Sequence, residues 1–194
     1  PIPYRVRGQV RIRPQIEQGE TFVLDAAGRH VWRPRWPRAE VSVDFAAPDL
    51  SWRGEGYVDM NAGVEPLEAG FTYWDWSRAP TQDGAVILYD SLRRDGARDP
   101  LALDIGADGT ARRFEPPAAA RLATTGWRVA RGTRSDGAAR VVKTLEDTPF
   151  YSRSLIETEL LGQALLSMHE SLDLTRFSSS WVKALLPFRM PRAF

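Results

Sequence analysis

The sequence predicts a mostly β protein whose antiparallel strands form a sandwich or a barrel. Two observations predict it. Short segments of alternating or continuous apolar character fill the first three quarters of the chain. Glycine-containing turns separate them, and Asp83-Gly84, Asp95-Gly96, Asp108-Gly109 and Asp136-Gly137 are all Asp-Gly pairs. Glycine supplies the positive φ that tight hairpins need, so regular strands between such turns point to antiparallel neighbours.

The elements follow in order. Tyr4 to Arg13 alternates apolar and polar residues, the pattern of a half-buried strand. Ala26-Ala27-Gly28 marks a turn, and Glu40 to Phe45 alternates again. Ala85 to Asp90 is a continuous apolar run, which suits a strand buried on both faces. Leu101 to Ile105 and Arg140 to Leu145 are further strand candidates. Ala118 to Ala123 follows Pro116-Pro117 and predicts a short helix, ended by Thr124-Thr125-Gly126. Ser152 to Leu160 alternates in part and predicts a strand, and Gln163 to His169 continues it beyond Gly162. No internal repeat or low-complexity linker divides the chain.

Composition excludes several functions. A chain of 194 residues supports one substantial core, or one domain plus part of another. With 26 basic and 25 acidic residues there is no electrostatic footprint for nucleic acid. The chain has no cysteine, which excludes disulfides, thiolate catalysis and cysteine-ligated metals and fits a reducing cytoplasm. Its histidines are His30 and His169, without HExxH spacing, so no metal site is predicted. No apolar run approaches the roughly 18 residues of a membrane-spanning helix. The first residue is Pro1 rather than Met, which reads as a fragment or a processed product.

The chemistry concentrates in one segment. If Tyr57 to Asn61 is extended, then Tyr57, Asp59 and Asn61 share a face, with neighbours about 7 Å apart. A phenol, a carboxylate and an amide together cannot be apolar core. They face solvent or line a polar cavity. His30 and Trp32 share a face in the same way. In Phe71 to Arg78, one face takes Tyr73, Asp75 and Ser77 and the other takes Thr72, Trp74 and Trp76. A strand Trp more often packs than binds, so Trp74 and Trp76 are expected in the core. In an aromatic-walled pocket, Trp74, Trp76 and Asn61 would instead touch a substrate. Arg78 is placed to pair with Asp75. A lone Asp or His is usually structural, so these residues gain weight only together.

Gly56 to Glu68 (Gly-Tyr-Val-Asp-Met-Asn-Ala-Gly-Val-Glu-Pro-Leu-Glu), with Phe71 and Trp74 to Arg78 after it, resembles the signature of bacterial carotenoid 1,2-hydratases. These enzymes are also called hydroxyneurosporene synthases. Thr148-Pro149-Phe150-Tyr151, His169 to Asp173 and Leu186 to Arg192 are similar too. The resemblance implies a double-lipocalin architecture of two lipocalin-like β-barrels. Residues 1–45 would then end the first domain and residues 46–194 would form the second, with an N-terminal part missing before Pro1. The implied activity is addition of water to the terminal 1,2 double bond of acyclic carotenoids of the neurosporene or lycopene type. No cofactor is implied. The family's His-x-Trp and Tyr-x-Asp positions fall on His30, Trp32, Tyr57 and Asp59.

Hydrating such an alkene requires protonation at C2 and water capture of the tertiary cation at C1. Asp59 is the expected proton donor, its acidity tuned by burial. Trp32 and Tyr57 are expected to stabilise the cation, and His30 to place the water or move its proton. The rival functions are a lipocalin-like polyene cyclase or pericyclase and a non-catalytic lipophile carrier, neither of which needs a buried acid. The expected partners are the carotenoid and water. Trp181 to Arg192 mixes apolar and basic residues, as a packing tail or a membrane-surface contact would, although Pro187 interrupts a helix there. The expected location is the cytoplasm, at most peripheral to the inner photosynthetic membrane.

Overall fold

The computed structural model describes residues 6–188. Tyr4 and Arg5 of the first predicted strand, and Arg189 to Arg192 of the tail, lie outside the described residues.

Three sheets make up the molecule. The first holds β1 (Arg7–Ile16), β2 (Phe22–Val23), β3 (His30–Ala47) and β4 (Asp49–Gly63), with β3 pairing each of the others. A short helix, α1 (Leu67–Gly70), leads into the second sheet. That sheet contains β5 (Phe71–Pro80), β6 (Ala85–Arg93), β7 (Leu101–Ile105), β8 (Ala111–Arg113), β11 (Arg140–Asp147), β12 (Tyr151–Leu160) and β13 (Gln163–Asp173). Its order is β11-β12-β13-β5-β6-β7-β8, antiparallel throughout. A two-stranded ribbon, β9 (Ala119–Leu122) and β10 (Arg131–Arg134), crosses one of its faces. The chain continues through α2 (Leu174–Phe177) and α3 (Ser180–Leu185). Among the described residues, no helix is long and apolar enough to cross a membrane.

Strand alternation builds two cores. On β6, Ile87 and Tyr89 point towards the first sheet and join Trp32, Phe22, Phe71, Trp76 and Leu103. Val86 and Leu88 point the other way and join Ala79, Ala102, Leu160 and Leu165. The continuous apolar run from Ala85 is thus the central strand it resembles, buried on both faces. All four Asp-Gly pairs fall between strands. At the β7–β8 turn, Gly109 has φ +79, and a Cβ there would come within 1.9 Å of the Glu17 carbonyl oxygen. Glycine is therefore required on two counts.

Two expectations change. Ala118 to Ala123 is no helix. Ala119–Leu122 is strand β9, paired antiparallel with β10. Six residues of good helix former cannot nucleate a stable helix alone. The ribbon instead satisfies their backbone, and β10 anchors it to the second sheet. Glycine 132 N–H donates to Asp75 Oδ1 at 3.1 Å, and Arg134 Nε donates to Asp90 Oδ2 at 2.9 Å. The second change concerns β1. Its alternation predicts half-burial, yet Val10 and Ile12 stay exposed on both sides of Arg11. Strand β1 gains its backbone partners from β3, and that pairing leaves all of its side chains but Ile16 in solvent.

The seam between the sheets should dominate stability. Leu103 is fully buried opposite Ile87. Leu103→Ala is expected to cost about 2–5 kcal/mol, read as a lower urea midpoint with an unchanged m-value.

Candidate active site

Strands β3 and β4 place the polar segment. Their register pairs Trp32 with Asn61 and His30 with Gly63. Trp32 is fully buried, so its indole N–H needs an internal acceptor. Asp59 supplies one: Trp32 Nε1 donates to Asp59 Oδ2 at 2.8 Å. The Tyr57 hydroxyl donates to the same oxygen at 3.2 Å. Strand β5 contributes Trp74 and Trp76, and β6 contributes Tyr89. The Tyr57 and Trp76 rings lie 5.1 Å apart, Trp32 and Tyr89 5.2 Å, and Trp74 and Tyr89 5.8 Å. The Tyr89 hydroxyl reaches Asn61 Oδ1 at 3.4 Å. Together Tyr57, Asp59, Asn61, Trp74, Trp76, Tyr89 and Glu170 line a cavity of about 150 Å³.

The electrostatics raise the proton affinity of Asp59. Burial pushes the Asp59 carboxyl above its ordinary range, and the negative charge of Glu170 adds to this. The hydrogen bonds from Trp32 and Tyr57 oppose the shift without cancelling it. Burial and the Asp59 charge hold the Tyr57 phenol well above its ordinary value, so it stays a donor.

His30 lies beside this cavity and is not part of its lining. It sits on the same β3 face as Trp32, buried to 1% exposure. Its Nδ1 is 3.1 Å from Asp25 Oδ2, and its ring meets Phe71 edge-on at 4.9 Å. Glycines close around it: a Cβ at Gly63 or Gly70 would come within 2.8 or 2.9 Å of the ring. Burial pushes the Asp25 carboxyl up, but backbone N–H bonds from Arg29, His30 and Ala27 prevail and leave it below its ordinary range. With Asp25 accepting from Nδ1–H, His30 presents Nε2 as an unpartnered, buried acceptor.

The predicted site residues therefore separate into a cluster and a flank. Trp32, Tyr57, Asp59, Asn61, Trp74 and Trp76 meet around one cavity or brace it, and His30 adjoins them. Trp76 is both core and wall, because the core and the cavity are continuous. Arg78 does not pair with Asp75. Three residues apart on a strand, they face opposite sides. Arg78 Nη2 instead bonds Glu55 Oε1 at 2.5 Å. Sequence reasoning did not single out Tyr89 or Glu170 for the site. Each was within a quoted segment, and continued alternation along β6 and β13 gives their facing.

The opposite face of the second sheet carries a larger groove of about 850 Å³, bounded by Tyr73, Asp75, Asp90, Arg131 and Arg134 among others. Several of its charged groups already have partners. Asp90 binds Arg98 and Arg134, and Asp75 accepts Ser171 Oγ at 2.5 Å as well as Gly132 N–H. His169 Nε2 donates to the Gly132 carbonyl at 2.7 Å, and burial pushes this imidazole down to about 4. These groups fasten the ribbon to the sheet.

Fold and site define a lipocalin-like antiparallel β protein that holds an acid against indole and phenol rings between two sheets. The sequence profile of carotenoid hydratase CrtC matches residues 1–194, and the chain belongs to that family. It is 52% identical to an acyclic carotenoid 1,2-hydratase of Thiocapsa roseopersicina over 99% of its own length, and spans 48% of that protein. Against the enzymes so named in Cereibacter sphaeroides and Rubrivivax gelatinosus the identity is 41% in each case, again over 99% of this chain, which covers 69% and 48% of them. The chain thus spans about half the length of two of these curated relatives. Among solved structures, one assigned to AttH of Nitrosomonas europaea matches with a TM-score of 0.50 at 15% identity, covering 87% of this chain and 60% of that one. This last likeness concerns the fold alone.

Asp75 makes stability depend on pH. Burial pushes its carboxyl from the ordinary 3.8 up to about 7. Below about 4 the group is protonated in both states, and its favourable contribution to folding is fully present. As pH rises through about 7 the folded state must ionise a buried carboxyl, and that contribution is lost. Asp75→Asn is expected to flatten the fall in urea midpoint across this window.

Proposed function

We propose that the chain carries the acid and cation site of an acyclic carotenoid 1,2-hydratase, a cofactor-independent hydro-lyase acting on neurosporene- or lycopene-type polyenes. The observation that carries this proposal is Asp59: a half-buried carboxyl, shifted towards its protonated form, bonded to Trp32 and Tyr57. The names of the curated relatives supply the substrate class.

The chemistry runs in balanced steps. Both donors reach Oδ2, so the acidic proton belongs on Oδ1. Asp59 transfers it to C2 of the terminal double bond, and the π electrons form the new C–H bond. A tertiary cation develops at C1. The faces of Trp76, Tyr57 and Trp74 surround it, each worth ~2 kcal/mol or more when desolvated. Water adds to C1 and loses one proton, and a proton returns to Asp59. A cavity of about 150 Å³ accommodates a chain end rather than a whole polyene, which favours the terminal bond. His30 has a supporting role, its ring packed against Gly63, Gly70 and Phe71 at the end of the strand pair that carries Trp32 and Asn61.

Asp59→Asn keeps the shape of the acid and removes its proton. With the full chain and lycopene or neurosporene, formation of the tertiary alcohol is expected to fall at least ~100-fold, the scale of lost general-acid catalysis. Hydration at the parent rate would sink the assignment.

A carotenoid substrate resides in lipid, and we propose that the tail touches it there, on a cytoplasmic membrane surface. Val182 anchors α3 in the protein, and Lys183 pairs with Glu68. Trp181, Leu186 and Phe188 are left exposed. Changing Trp181 and Phe188 to Ser is expected to reduce co-sedimentation with phosphatidylglycerol-containing liposomes several-fold. Equal partitioning of parent and variant would refute the contact.

A further inference from the structure

Glu170 faces the same cavity as Asp59 and has no part in the steps above. The register of the second sheet explains its placement. Glu170 on β13 lies between Arg153 on β12 and Trp76 on β5, and Trp76 pairs onward with Tyr89 on β6. Arg153, Glu170, Trp76 and Tyr89 thus form one cross-strand row on the face turned to the first sheet. Directly opposed residues in such a row stand about 5 Å apart at Cβ. Tyr57 stacks over Trp76 from the other side, and Asp59 accepts its hydroxyl proton. Asp59 and Glu170 therefore line the same cavity beside Tyr57 and Trp76.

Their surroundings differ. Asp59 is bonded by an indole and a phenol, which are neutral, and burial favours its protonated form. Glu170 is held by a cation: Arg153 Nε donates to Glu170 Oε1 at 2.9 Å. Arg153 lies 5.7 Å from the centre of the Tyr151 ring and 3.7 Å from Glu146 Oε2, which keeps it in place. The two carboxyl groups thus line one cavity with different partners, and only Glu170 is ion-paired with a guanidinium.

We infer that Glu170 is a second catalytic residue, the carboxylate that takes the proton from the water adding to C1. The inference rests on the hydration proposed above. Water attached to a tertiary cation is a strong acid, and a carboxylate lining the same cavity can take its proton. The O–C1 bond forms, one water O–H bond breaks, and the proton lands on Glu170. It then passes through cavity water to Asp59, which gave its own proton to C2. Both carboxyl groups are restored, and one water has been added. Without the base, the cation returns its proton from C2 to Asp59 and the alkene re-forms. Glu170 therefore controls the partition between capture and return.

That partition is measurable. The full chain and its Glu170→Gln variant are incubated with lycopene in D2O. Alcohol is quantified, along with deuterium at C2 of recovered substrate. The ratio of exchange to hydration is expected to rise at least ~10-fold in the variant, because protonation by Asp59 persists while capture fails. Surviving exchange also shows that the variant site is folded. An unchanged ratio, whether both processes survive or both fall equally, overturns the role. An inactive parent chain overturns the hydratase proposal itself, and this inference with it.

Discussion

Trp32 brings one polar atom, its indole nitrogen, into the seam between two β-sheets, and Asp59 satisfies it. Much else depends on that bond. The Trp32 ring packs between Phe22 and Tyr89, and so ties the first sheet to the second. A buried indole N–H without an acceptor would cost about 1–3 kcal/mol. The acceptor is drawn partly out of solvent, and this desolvation raises the affinity of its carboxyl for a proton. The need to satisfy a core residue thus creates an acid. The core of this protein and its candidate chemistry are one feature.

Strand β5 shows how one segment serves two environments. Its even-numbered tryptophans enter the seam, where they wall the cavity. Its odd-numbered Tyr73, Asp75 and Ser77 turn the other way, to the ribbon and the hydroxyl-rich strands β12 and β13. Two half-buried aspartates result, both shifted upwards by desolvation. Asp75 accepts from a serine hydroxyl and a backbone amide, and anchors the ribbon. Asp59 accepts from aromatic donors beside an open cavity. The aromatic donors and walls around Asp59, rather than the shift in proton affinity, distinguish the chemical candidate from the structural one.

An aromatic cavity suits a developing carbocation, and ionised groups within it must be few and fixed. Glu170 meets that condition because Arg153 pairs with it in the next strand. The arrangement places negative charge beside the cavity without an uncompensated buried ion. It also explains why Glu170 raises the proton affinity of Asp59 across the same space.

The sequence by itself determined the antiparallel β class, because alternation and Asp-Gly turns are local signals that survive without tertiary context. It also determined which of Tyr57, Asp59, Asn61, His30 and Trp32 share strand faces, since the period of two is a property of the extended backbone. The family resemblance added the substrate class. The helix expected at Ala118 to Ala123 failed because its intrinsic propensity is small, whereas pairing with β10 is decided by residues nine or more positions away. The exposure of Val10 and Ile12 was invisible because alternation tells which face a residue takes and not what covers it. Only the tertiary structure decided that Trp74 and Trp76 meet Asp59, that His30 stands beside the cavity, and that Glu170 stands across from the acid. Those positions depend on the register between strands far apart in sequence, and no local pattern encodes that register.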